Sequence, residues 1–455
     1  MALMSPTDSM FLIPETREQP MHVGSLQLYK PAPGASESAL TDLYAAGLAV
    51  TDINPLFRKK AVKKISTAGQ WAWEDDDDLD LEHHFRLSAL PRPGRVRELL
   101  ALTSRLHGTP LDRTRPLWET HLIEGLEDGR FAVYTKIHHA LLDGVSGLRL
   151  LERSLTYDKD ARDIGMPFAA LPSRGKKPVE SGGGLGSLPG TLLHAGLDTL
   201  GMGPKVLGLA QQALRGTGMA MPGQAPRSML NVPITGSRRF AADAWEIDRI
   251  KKVAKKADAT LNDVVLAMCS GALRDYLLSM HALPDSPLIA MTPVSLREKG
   301  DERTGNAVGS ILADLGTHLD DPEQRLLTVK ASMQRGKEVL RSMSQLQVSA
   351  LSAVMMSPLL INQLMGAPKF VRPPFNVIIS NVPGPRATMY WNGAELDGFY
   401  PLSIPTAGQA LNITLVSYAD KLQFGLTGCR RSLPHLQQLL HGLEESLLGL
   451  EKAFA

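Results

Sequence analysis

The stretch YTKIHHALLDGVSG, residues 134–147, places two adjacent histidines at the end of an alternating apolar run and follows them with Asp-Gly. The residues up to the second histidine, RFAVYTKIHH, have the period-two alternation of a β-strand. Apolar residues then recur at helical spacing at Val145, Leu148, Leu151 and Leu155. We therefore predict that the histidine pair lies where a strand gives way to a helix, which is a common place for a functional site.

His138 and His139 are not expected to be interchangeable, because successive side chains on a strand point to opposite faces of the sheet. Gly144 is predicted to permit a tight turn that brings the Asp143 carboxylate back toward the motif. A general base requires only one neutral imidazole near a hydroxyl group. A zinc site or a serine hydrolase would need more, but HExxH and a cysteine cluster are absent, and GVSGL does not match GxSxG. General-base chemistry without a metal is the simplest functional interpretation, and a structural or solvent-facing pair is the alternative.

The length of 455 residues predicts two domains, or one large domain with two lobes. The composition, 43% apolar and 21% charged, is typical of a folded protein. A stretch rich in Gly, Pro, Ser and Lys, LPSRGKKPVESGGGLGSLPG, separates the two halves. We predict an N-terminal lobe over residues 1–166, a crossover linker with a helical segment over 167–226, and a C-terminal lobe over 227–455.

The net charge and the cysteine content limit which partners and which cellular compartment are expected. Lys and Arg number 49 against 47 Asp and Glu, a net charge of +2, so nucleic acid is not an expected partner. Cys269 and Cys429 lie far apart, which fits a reducing, cytoplasmic setting. The N-terminal residues do not match a signal peptide, and the most apolar window, LSAVMMSPLLINQLMG from Leu351, is interrupted by polar residues and Pro. We expect no membrane-spanning helix.

Outside the motif, period-two and helical patterns alternate, which predicts a mixed α/β protein. Strand patterns occur in HVGSLQLYK, SPLIAMTPVSL, AVGSILADLG and PFNVIISNVPGP, and ALNITLVSYADKLQFGLTGC is predicted to form a hairpin. Helical patterns occur in RVRELLALTSRLHGTPL, AWEIDRIKKVAKKADAT and LNDVVLAMCSGALRDYLLSM. Each half is therefore expected to combine a sheet with helices.

The segment HHALLDG matches HHxxxDG, and in this it resembles the CoA-dependent acyltransferase superfamily, which includes chloramphenicol acetyltransferase and the condensation domains of peptide synthetases. Five further segments make nearly the whole chain similar to the bacterial wax ester synthase/acyl-CoA:diacylglycerol acyltransferase family. They are PMHVGSLQLY, RPLWETHLIEGL, LNVPITGSRRFA, TLNDVVLAMCSGALR and NVIISNVPGP, in that order. The crossover from Pro167 to Arg227 is the part without a match.

The resemblance implies a chloramphenicol-acetyltransferase-like fold with two lobes, each a mixed sheet with helices, and an active-site tunnel between the lobes. It implies that His139 is the general base, which takes the proton of the acceptor hydroxyl as that oxygen attacks the thioester of acyl-CoA directly. His138 would support the base. Asp143, with Gly144 after it, would have a structural role and pair with an arginine. Arg297 is the candidate partner, and an exposed arginine at that position is the alternative.

Two other family segments contain candidate residues for which structural explanations compete. Asn262 and Asp263 follow Thr260, so they either cap a helix or form a hydrogen bond that shapes the site. Trp118, in the family segment Pro-Leu-Trp, is interpreted mainly as an anchor of the core.

The segment SNVPGP has two prolines and a glycine after a predicted strand. An exposed rigid turn is one interpretation, and a turn that lines the acyl-CoA entrance is the one that the resemblance favours. In the second case Ser380, Pro383 and Gly384 are candidate substrate-binding residues, and Asn381 is a candidate donor to the oxyanion.

Two further features have simpler explanations than catalysis. The pair His83-His84 lacks a following Asp-Gly and stands beside an acidic run, so we expect it in a solvated loop or strand end. Four lysines recur at helical spacing and could meet CoA phosphates or an anionic membrane, although a solvated helix face is the preferred interpretation. They are Lys251, Lys252, Lys255 and Lys256.

The resemblance implies an O-acyltransferase that transfers a long-chain acyl group from fatty acyl-CoA to a fatty alcohol, to diacylglycerol, or to both. No bound cofactor and no metal are expected. Because the substrates are apolar, we expect a cytoplasmic protein that associates peripherally with the inner membrane or with lipid inclusions. The alternatives are a relative that acylates another hydroxyl or an amine, a hydrolase that uses water, and a non-catalytic homologue that binds acyl-CoA or lipid.

Overall fold

The alternating run before the motif forms a strand, β7 (Phe131–His138), inside a six-stranded mixed sheet. Every residue of this strand is buried, because both faces of the sheet are covered at this point. A computed structural model describes residues 2–170, 223–295, 308–343, 347–348, 351 and 372–455. These residues belong to two compact units, each with a sheet and helices of its own.

The first unit contains, of the described residues, 2–170, Val382–Ile404 and Val416–Ala419. Its strands are β1 (Ala2–Leu3), β2 (His22–Lys30), β3 (Lys59–Lys63), β4 (Trp71–Asp75), β5 (Phe85–Ala89), β6 (Trp118–Glu124), β7, β12 (Tyr390–Trp391) and β13 (Ala394–Leu402). Its helices are α1 (Pro6–Leu12), α2 (Ala39–Leu48), α3 (Leu81–His84), α4 (Val96–Gly108) and α5 (Gly144–Arg153). The large sheet has the order β12-β13-β2-β7-β6-β5, and a small sheet has the order β1-β4-β3.

The second unit contains a six-stranded sheet in the order β10-β9-β11-β14-β15-β8. Its strands are β8 (Arg238–Glu246), β9 (Ile289–Ser295), β10 (Val308–Asp314), β11 (Val377–Pro383), β14 (Leu411–Tyr418) and β15 (Lys421–Cys429). Its helices are α6 (Ile247–Lys256), α7 (Leu261–Ser279), α8 (Pro322–Ser342) and α9 (Gln438–Ala453). Helix α7 is apolar on nearly all sides and lies in the middle of a large core that also includes Phe424 and Leu443.

The lobe boundaries predicted from the sequence need a correction. Strand β13 pairs antiparallel with β2 from Glu395 opposite Lys30 to Leu402 opposite Gly24, and the Lys30 Nζ lies 3.1 Å from the Glu395 carboxylate. The first unit therefore includes a strand from the C-terminal half of the chain. The prediction of an uninterrupted C-terminal lobe over 227–455 is wrong in this respect, because a strand pairing that joins distant residues leaves no local pattern in the sequence.

Most of the predicted elements are confirmed. Strands β2, β7, β9, β10 and β11, the hairpin β14–β15, and helices α4, α6 and α7 all fall on the patterns that predicted them. The helix expected from Ala244 begins only at Ile247, because the preceding residues pair in strand β8. The four lysines of α6 are exposed, as both interpretations of that helix require.

Three predictions fall on residues outside the described part of the chain. They are the helical segment expected within 167–226, the apolar window from Leu351 beyond its first residue, and Arg297. Within the described ranges, no helix is both long and apolar enough to cross a bilayer.

Candidate active site

The histidine motif begins at the last residue of β7 and is fixed by its backbone on both sides. The N–H of His138 donates to the carbonyl of Leu117 at 2.9 Å, and the N–H of His139 donates to the carbonyl of Met21 at 2.9 Å. Helix α5 then begins at Gly144. The predicted strand-to-helix transition is confirmed.

The ring of His138 is fully buried, and both of its nitrogens face protein groups. Nδ1 accepts a hydrogen bond from the N–H of Ala140 at 3.0 Å, so the neutral ring carries its proton on Nε2. Nε2 lies 3.4 Å from Oε1 of Glu15 in a contact that is not a well-aligned hydrogen bond. His138 therefore has no free lone pair with which to take a proton from a substrate.

Glu15 is a buried carboxylate that the sequence did not single out. Its Oε1 accepts from the N–H of Met21 at 3.0 Å, its Oε2 lies 2.9 Å from Nε of Arg113, and its side chain is 6% exposed. Burial alone would raise the pKa of Glu15, but the contacts with His138, Met21 and Arg113 lower it below the usual value. Glu15 is therefore a carboxylate that holds the first histidine in place and links it to Arg113.

His139 differs from His138 in every one of these respects. Its ring is only partly buried and stacks on Phe11 with 4.0 Å between ring centroids. Nδ1 is buried without a hydrogen-bond partner, and Nε2 makes no hydrogen bond to any described residue. Burial lowers the pKa of His139 to about 4, although the nearby Asp143 opposes this effect. At neutral pH the ring is therefore uncharged and has a lone pair available.

The structure assigns Asp143 a local role and corrects the role predicted for Gly144. Asp143 caps α5, because its carboxylate accepts from the N–H of Ser146 at 2.7 Å. Gly144 is the first residue of the helix, has no left-handed φ, and has no other atom within 4 Å of the position of an added Cβ. The expectation that Gly144 supports a tight turn is therefore wrong. The predicted pairing of Asp143 with Arg297 concerns a residue outside the described ranges.

Asn262 and Asp263 divide the two roles that the sequence left open. Asp263 forms a capping box with Thr260, in which the Asp263 carboxylate accepts from the Thr260 N–H at 2.9 Å and the Thr260 hydroxyl accepts in return at 3.2 Å. Asn262 instead accepts from the amide of Asn381 at 3.4 Å. The structure thus brings together two candidate residues of the second unit, one on α7 and one on β11.

The SNVPGP turn is held by contacts with β14. Ser380 and Asn381 lie on β11, Pro383 is its last residue and is exposed, and the N–H of Gly384 donates to the Ser417 hydroxyl at 3.1 Å. A Cβ at residue 384 would lie 2.4 Å from the Ser417 carbonyl oxygen. Gly384 is therefore required by close packing of the backbone, whatever binds at this turn.

We expect alanine substitutions at Gly384 and Gly144 to change stability differently, because only Gly384 is closely packed against another backbone segment. Gly384→Ala should lower the free energy of unfolding by about 1–3 kcal/mol, because the backbone of Ser417 has to move. Gly144→Ala should leave it unchanged or raise it by up to about 1 kcal/mol, because alanine suits the first turn of a helix. Urea unfolding of both variants measures the difference, and equal effects would contradict the packing argument.

Two of the family segments meet in a buried amide network within the second unit. The Asn376 amide donates to Asn231 Oδ1 and to the Pro226 carbonyl, both at 2.7 Å. The Asn231 amide in turn donates to the carbonyls of Phe375 and Gly408 at 3.0 and 2.8 Å. These asparagines satisfy backbone groups of the core, so their role is structural.

Trp118 anchors the core of the first unit, as predicted. It is fully buried, its indole N–H donates to the Phe57 carbonyl at 2.8 Å, and its ring stacks on His84 with centroids 4.7 Å apart. The expectation that His83-His84 lies in a solvated position is wrong for His84, which is 1% exposed. The acidic run before this pair suggested solvent, but α3 turns the second histidine inward against β6.

The side chains that surround the motif come from segments without periodicity. Phe11 and Glu15 lie in and just after α1, and Arg113 follows α4, so only the tertiary fold brings them to His138 and His139. Glu15 has no distinguishing sequence signal, because it begins the polar run ETREQ after the apolar residues of α1. In the part of the chain that the structure describes, no three His, Cys, Asp or Glu side chains lie close enough to hold a metal ion.

Comparison with known families gives two matches that together span most of the chain. The family profile described as the wax ester synthase/diacylglycerol acyltransferase catalytic domain matches residues 4–265. The profile described as the WS/DGAT C-terminal domain matches residues 304–451.

Individual relatives and solved structures agree with these matches. A probable diacylglycerol O-acyltransferase of Mycobacterium tuberculosis, tgs2, is 51% identical over 100% of this chain and 99% of its own length. The O-acyltransferase WSD of Acinetobacter baylyi is 43% identical, with 99% and 97% covered. The wax ester synthase/diacylglycerol acyltransferase from Marinobacter aquaeolei aligns with a TM-score of 0.83 at 41% identity over all of both chains. The starter condensation domain of rhizomide synthetase aligns with a TM-score of 0.56 at 13% identity, over 100% and 94%, which supports the predicted fold class alone.

Proposed function

This chain belongs to the wax ester synthase/diacylglycerol acyltransferase family, and we propose that it transfers a long-chain acyl group from fatty acyl-CoA to a fatty alcohol or a diacylglycerol with His139 as the general base. It is an acyl-CoA-dependent O-acyltransferase. The observation that carries the assignment of the base is the difference between the two rings. His138 Nδ1 accepts from the N–H of Ala140 and its Nε2 faces Glu15, whereas neither ring nitrogen of His139 makes a hydrogen bond to a described residue.

The proposed reaction has two proton transfers, both at His139. The imidazole takes the proton of the acceptor hydroxyl while the hydroxyl oxygen attacks the thioester carbonyl, which forms a C–O bond and a tetrahedral oxyanion. The oxyanion then collapses, the C–S bond breaks, and the CoA thiolate receives the proton from the imidazolium. The products are an ester and free CoA, with no acyl-enzyme and no cofactor.

The low pKa of His139 keeps the ring in its proton-accepting form for the first step, although it lowers its strength as a base, and it favours return of the proton in the second step. A pKa of about 4 keeps the ring neutral at the pH of the cytoplasm, so the base is available in nearly every molecule. The imidazolium formed in the first step is a stronger acid than an ordinary histidine, because the same burial disfavours its charge. It therefore returns the proton readily to the thiolate.

Asp143, Asn262 and Asn381 have supporting roles in this proposal. Asp143 fixes the start of α5 next to the base through its cap at Ser146. The Asn262–Asn381 hydrogen bond orients the Asn381 amide, which we propose as an oxyanion donor. Ser380, Pro383 and Gly384 are proposed to line the path of acyl-CoA.

The assay of the proposed function follows CoA thiol release from palmitoyl-CoA by the purified chain, with and without hexadecanol or dioleoylglycerol. We expect release that depends on the acceptor, with an equal amount of wax ester or triacylglycerol in the lipid extract. Release without an acceptor would indicate a hydrolase, and no release with either acceptor would indicate a binding protein or a different acceptor. The same proposal places the protein in the cytoplasm, at the surface of the inner membrane or of lipid inclusions.

Glu15→Gln tests whether the buried carboxylate positions the motif. We expect kcat to fall about tenfold with KM nearly unchanged, because the variant keeps an acceptor for Met21 but loses the charge that faces His138 and Arg113. Steady-state kinetics at several palmitoyl-CoA concentrations separate the two constants. The exposed Glu82→Gln is the control, and a Glu15→Gln variant with wild-type kcat would remove Glu15 from the mechanism.

A further inference from the structure

The His139 imidazole is held by a neighbouring ring and by no hydrogen bond to another described residue. Its Nδ1 is buried without a partner, and the Asp143 carboxylate accepts from the Ser146 N–H instead. The phenyl ring of Phe11 stacks on the imidazole with 4.0 Å between the centroids and 22° between the planes. Within the described ranges this stack is the single aromatic contact of His139. It is therefore the contact through which the surrounding protein can fix the plane of the ring.

Phe11 is anchored to the same part of the chain as the ring on which it stacks. Leu12, the last residue of α1, is fully buried in an apolar cluster that includes Leu117 and Ala140. Phe11 packs against this cluster and is itself partly buried. Because Ala140 is the residue after His139, the cluster fixes the phenyl ring relative to the backbone that carries the imidazole.

We propose that Phe11 is a positioning residue for the reaction, and that its ring holds the His139 imidazole in the plane in which Nε2 faces the acceptor hydroxyl. This inference rests on the proposed function, because it takes His139 as the general base. In many enzymes a third group, hydrogen-bonded to the base, orients it. Here the orienting group touches the face of the imidazole.

Stacking has a chemical advantage over a polar partner at Nε2. The lone pair of a neutral imidazole nitrogen lies in the ring plane and points outward from its edge. A ring that covers the face therefore restricts rotation of the imidazole and leaves the edge open to the acceptor. A hydrogen-bond donor at Nε2 would restrict the rotation equally well but would occupy the lone pair that the reaction uses.

The competing explanation is that Phe11 only fills space beside the apolar cluster. Two substitutions separate the explanations, because leucine keeps an apolar side chain on the cluster but has no flat face, whereas tyrosine keeps the face. A residue that only fills space can be replaced by leucine with little change in turnover. A residue that orients the base can be replaced by tyrosine but not by leucine.

Steady-state kinetics of acceptor-dependent CoA release test the positioning role. Phe11→Leu should lower kcat about five- to tenfold with KM for palmitoyl-CoA nearly unchanged, because the base is misaligned and acyl-CoA binding is not altered. Phe11→Tyr should stay within about twofold of wild type. The control is Tyr44→Leu on α2, a partly buried aromatic residue of the same unit that packs on Phe85 with centroids 5.4 Å apart. It should also keep wild-type kcat.

A spectroscopic measurement tests the stack without turnover. A phenyl ring over the face of an imidazole shifts the imidazole proton resonances upfield. In protein labelled with ¹³C-histidine, the His139 Cε1–H resonance is the one of 12 that disappears in His139→Asn. It should lie upfield of the ordinary position in wild type and in Phe11→Tyr, and should move toward that position in Phe11→Leu.

The outcomes distinguish a failure of this inference from a failure of the proposed function. A wild-type kcat in Phe11→Leu, an equal loss in Phe11→Tyr, or a His139 resonance that Phe11→Leu leaves in place would overturn the positioning role alone. Wild type without acceptor-dependent release would overturn the proposed function, and the positioning role with it. Urea unfolding shows whether Phe11→Leu is folded. If it is not, Phe11→Met, which also lacks a flat face, replaces it with the same expected result.

Discussion

His139→Ala will lower kcat for acceptor-dependent CoA release by about a thousandfold and will change the free energy of unfolding little. General-base catalysis contributes about two to four orders of magnitude to a rate, and His139, unlike His138, makes no ring hydrogen bond to a described residue. Within the described ranges the ring makes no hydrogen bond, and the residue is partly exposed, so its loss mainly removes the packing against Phe11. Stopped assays of thiol and ester, together with urea unfolding, measure both quantities.

His138→Ala is expected to behave in the opposite way. It leaves the Ala140 N–H without an acceptor and removes the imidazole that faces the buried Glu15, so the free energy of unfolding should fall by about 2 kcal/mol or more. His138→Asn, whose Oδ1 can accept from Ala140, should recover part of that stability and activity, whereas His139→Asn should recover none. His83→Ala is the control. If His138→Ala loses more kcat than His139→Ala at equal stability, His138 is the general base and His139 is the supporting residue.

The sequence predicted the backbone of the site better than its surroundings. The strand of RFAVYTKIHH and the helix after Asp143 follow from local periodicity, so β7 and α5 were predictable from the pattern alone. The choice between the two rings was not, because it depends on Ala140, Glu15 and Phe11. Two of these lie more than a hundred residues before the motif, in a segment without alternation.

Long-range pairing explains the remaining differences. Glu395 reaches Lys30 across 365 positions of sequence, and no pattern near residue 395 indicates which sheet its strand will join. The same argument applies to His84, whose burial depends on the position of Trp118. The error at Gly144 has another cause. Glycine was interpreted through its conformational freedom, yet the structure uses residue 144 as an ordinary first residue of a helix.

Several histidines of the first unit are buried in a form that cannot accept a proton without loss of stability. His84 Nδ1 lies 2.7 Å from the Trp118 carbonyl, and its Nε2 is buried without a partner. His22 and His121 likewise each have one buried ring nitrogen without a partner. Burial lowers the pKa of His84 to about 4 and lowers the pKa of His22 and His121 as well. A second ring proton would be placed where no acceptor exists.

The unfolding free energy will therefore decrease as the pH falls from about 6.5 to about 4. Below its ordinary pKa of 6.5 a histidine binds a proton in the unfolded chain, whereas His84 in the folded chain binds one only near pH 4, so acid favours the unfolded state throughout this window. The stabilisation of the folded chain by neutral His84 is fully present above about pH 7. His84 alone lowers the free energy of unfolding by about 2 kcal/mol between pH 7 and pH 5. His22 and His121 add to the loss in the same direction.

The pH dependence of His84→Gln separates this effect from general acid denaturation. Glutamine can donate to the Trp118 carbonyl but does not titrate, so the variant should be less stable than wild type at pH 7 and should lose about 2 kcal/mol less between pH 7 and pH 5. The pKa values of Glu119 and Glu15 are lowered by their contacts in the folded chain. Their carboxylates therefore stabilise the folded chain until the pH falls below the ordinary pKa of a glutamate, which is more acidic than the range tested here. Urea unfolding at pH 7, 6 and 5 measures how the free energy of unfolding of each variant changes with pH. The variant His441→Gln, at an exposed histidine, is the control. Parallel slopes for His84→Gln and wild type would show that His84 is protonated equally in the folded and unfolded chain, and a shallower slope for the variant would assign part of the acid sensitivity to His84.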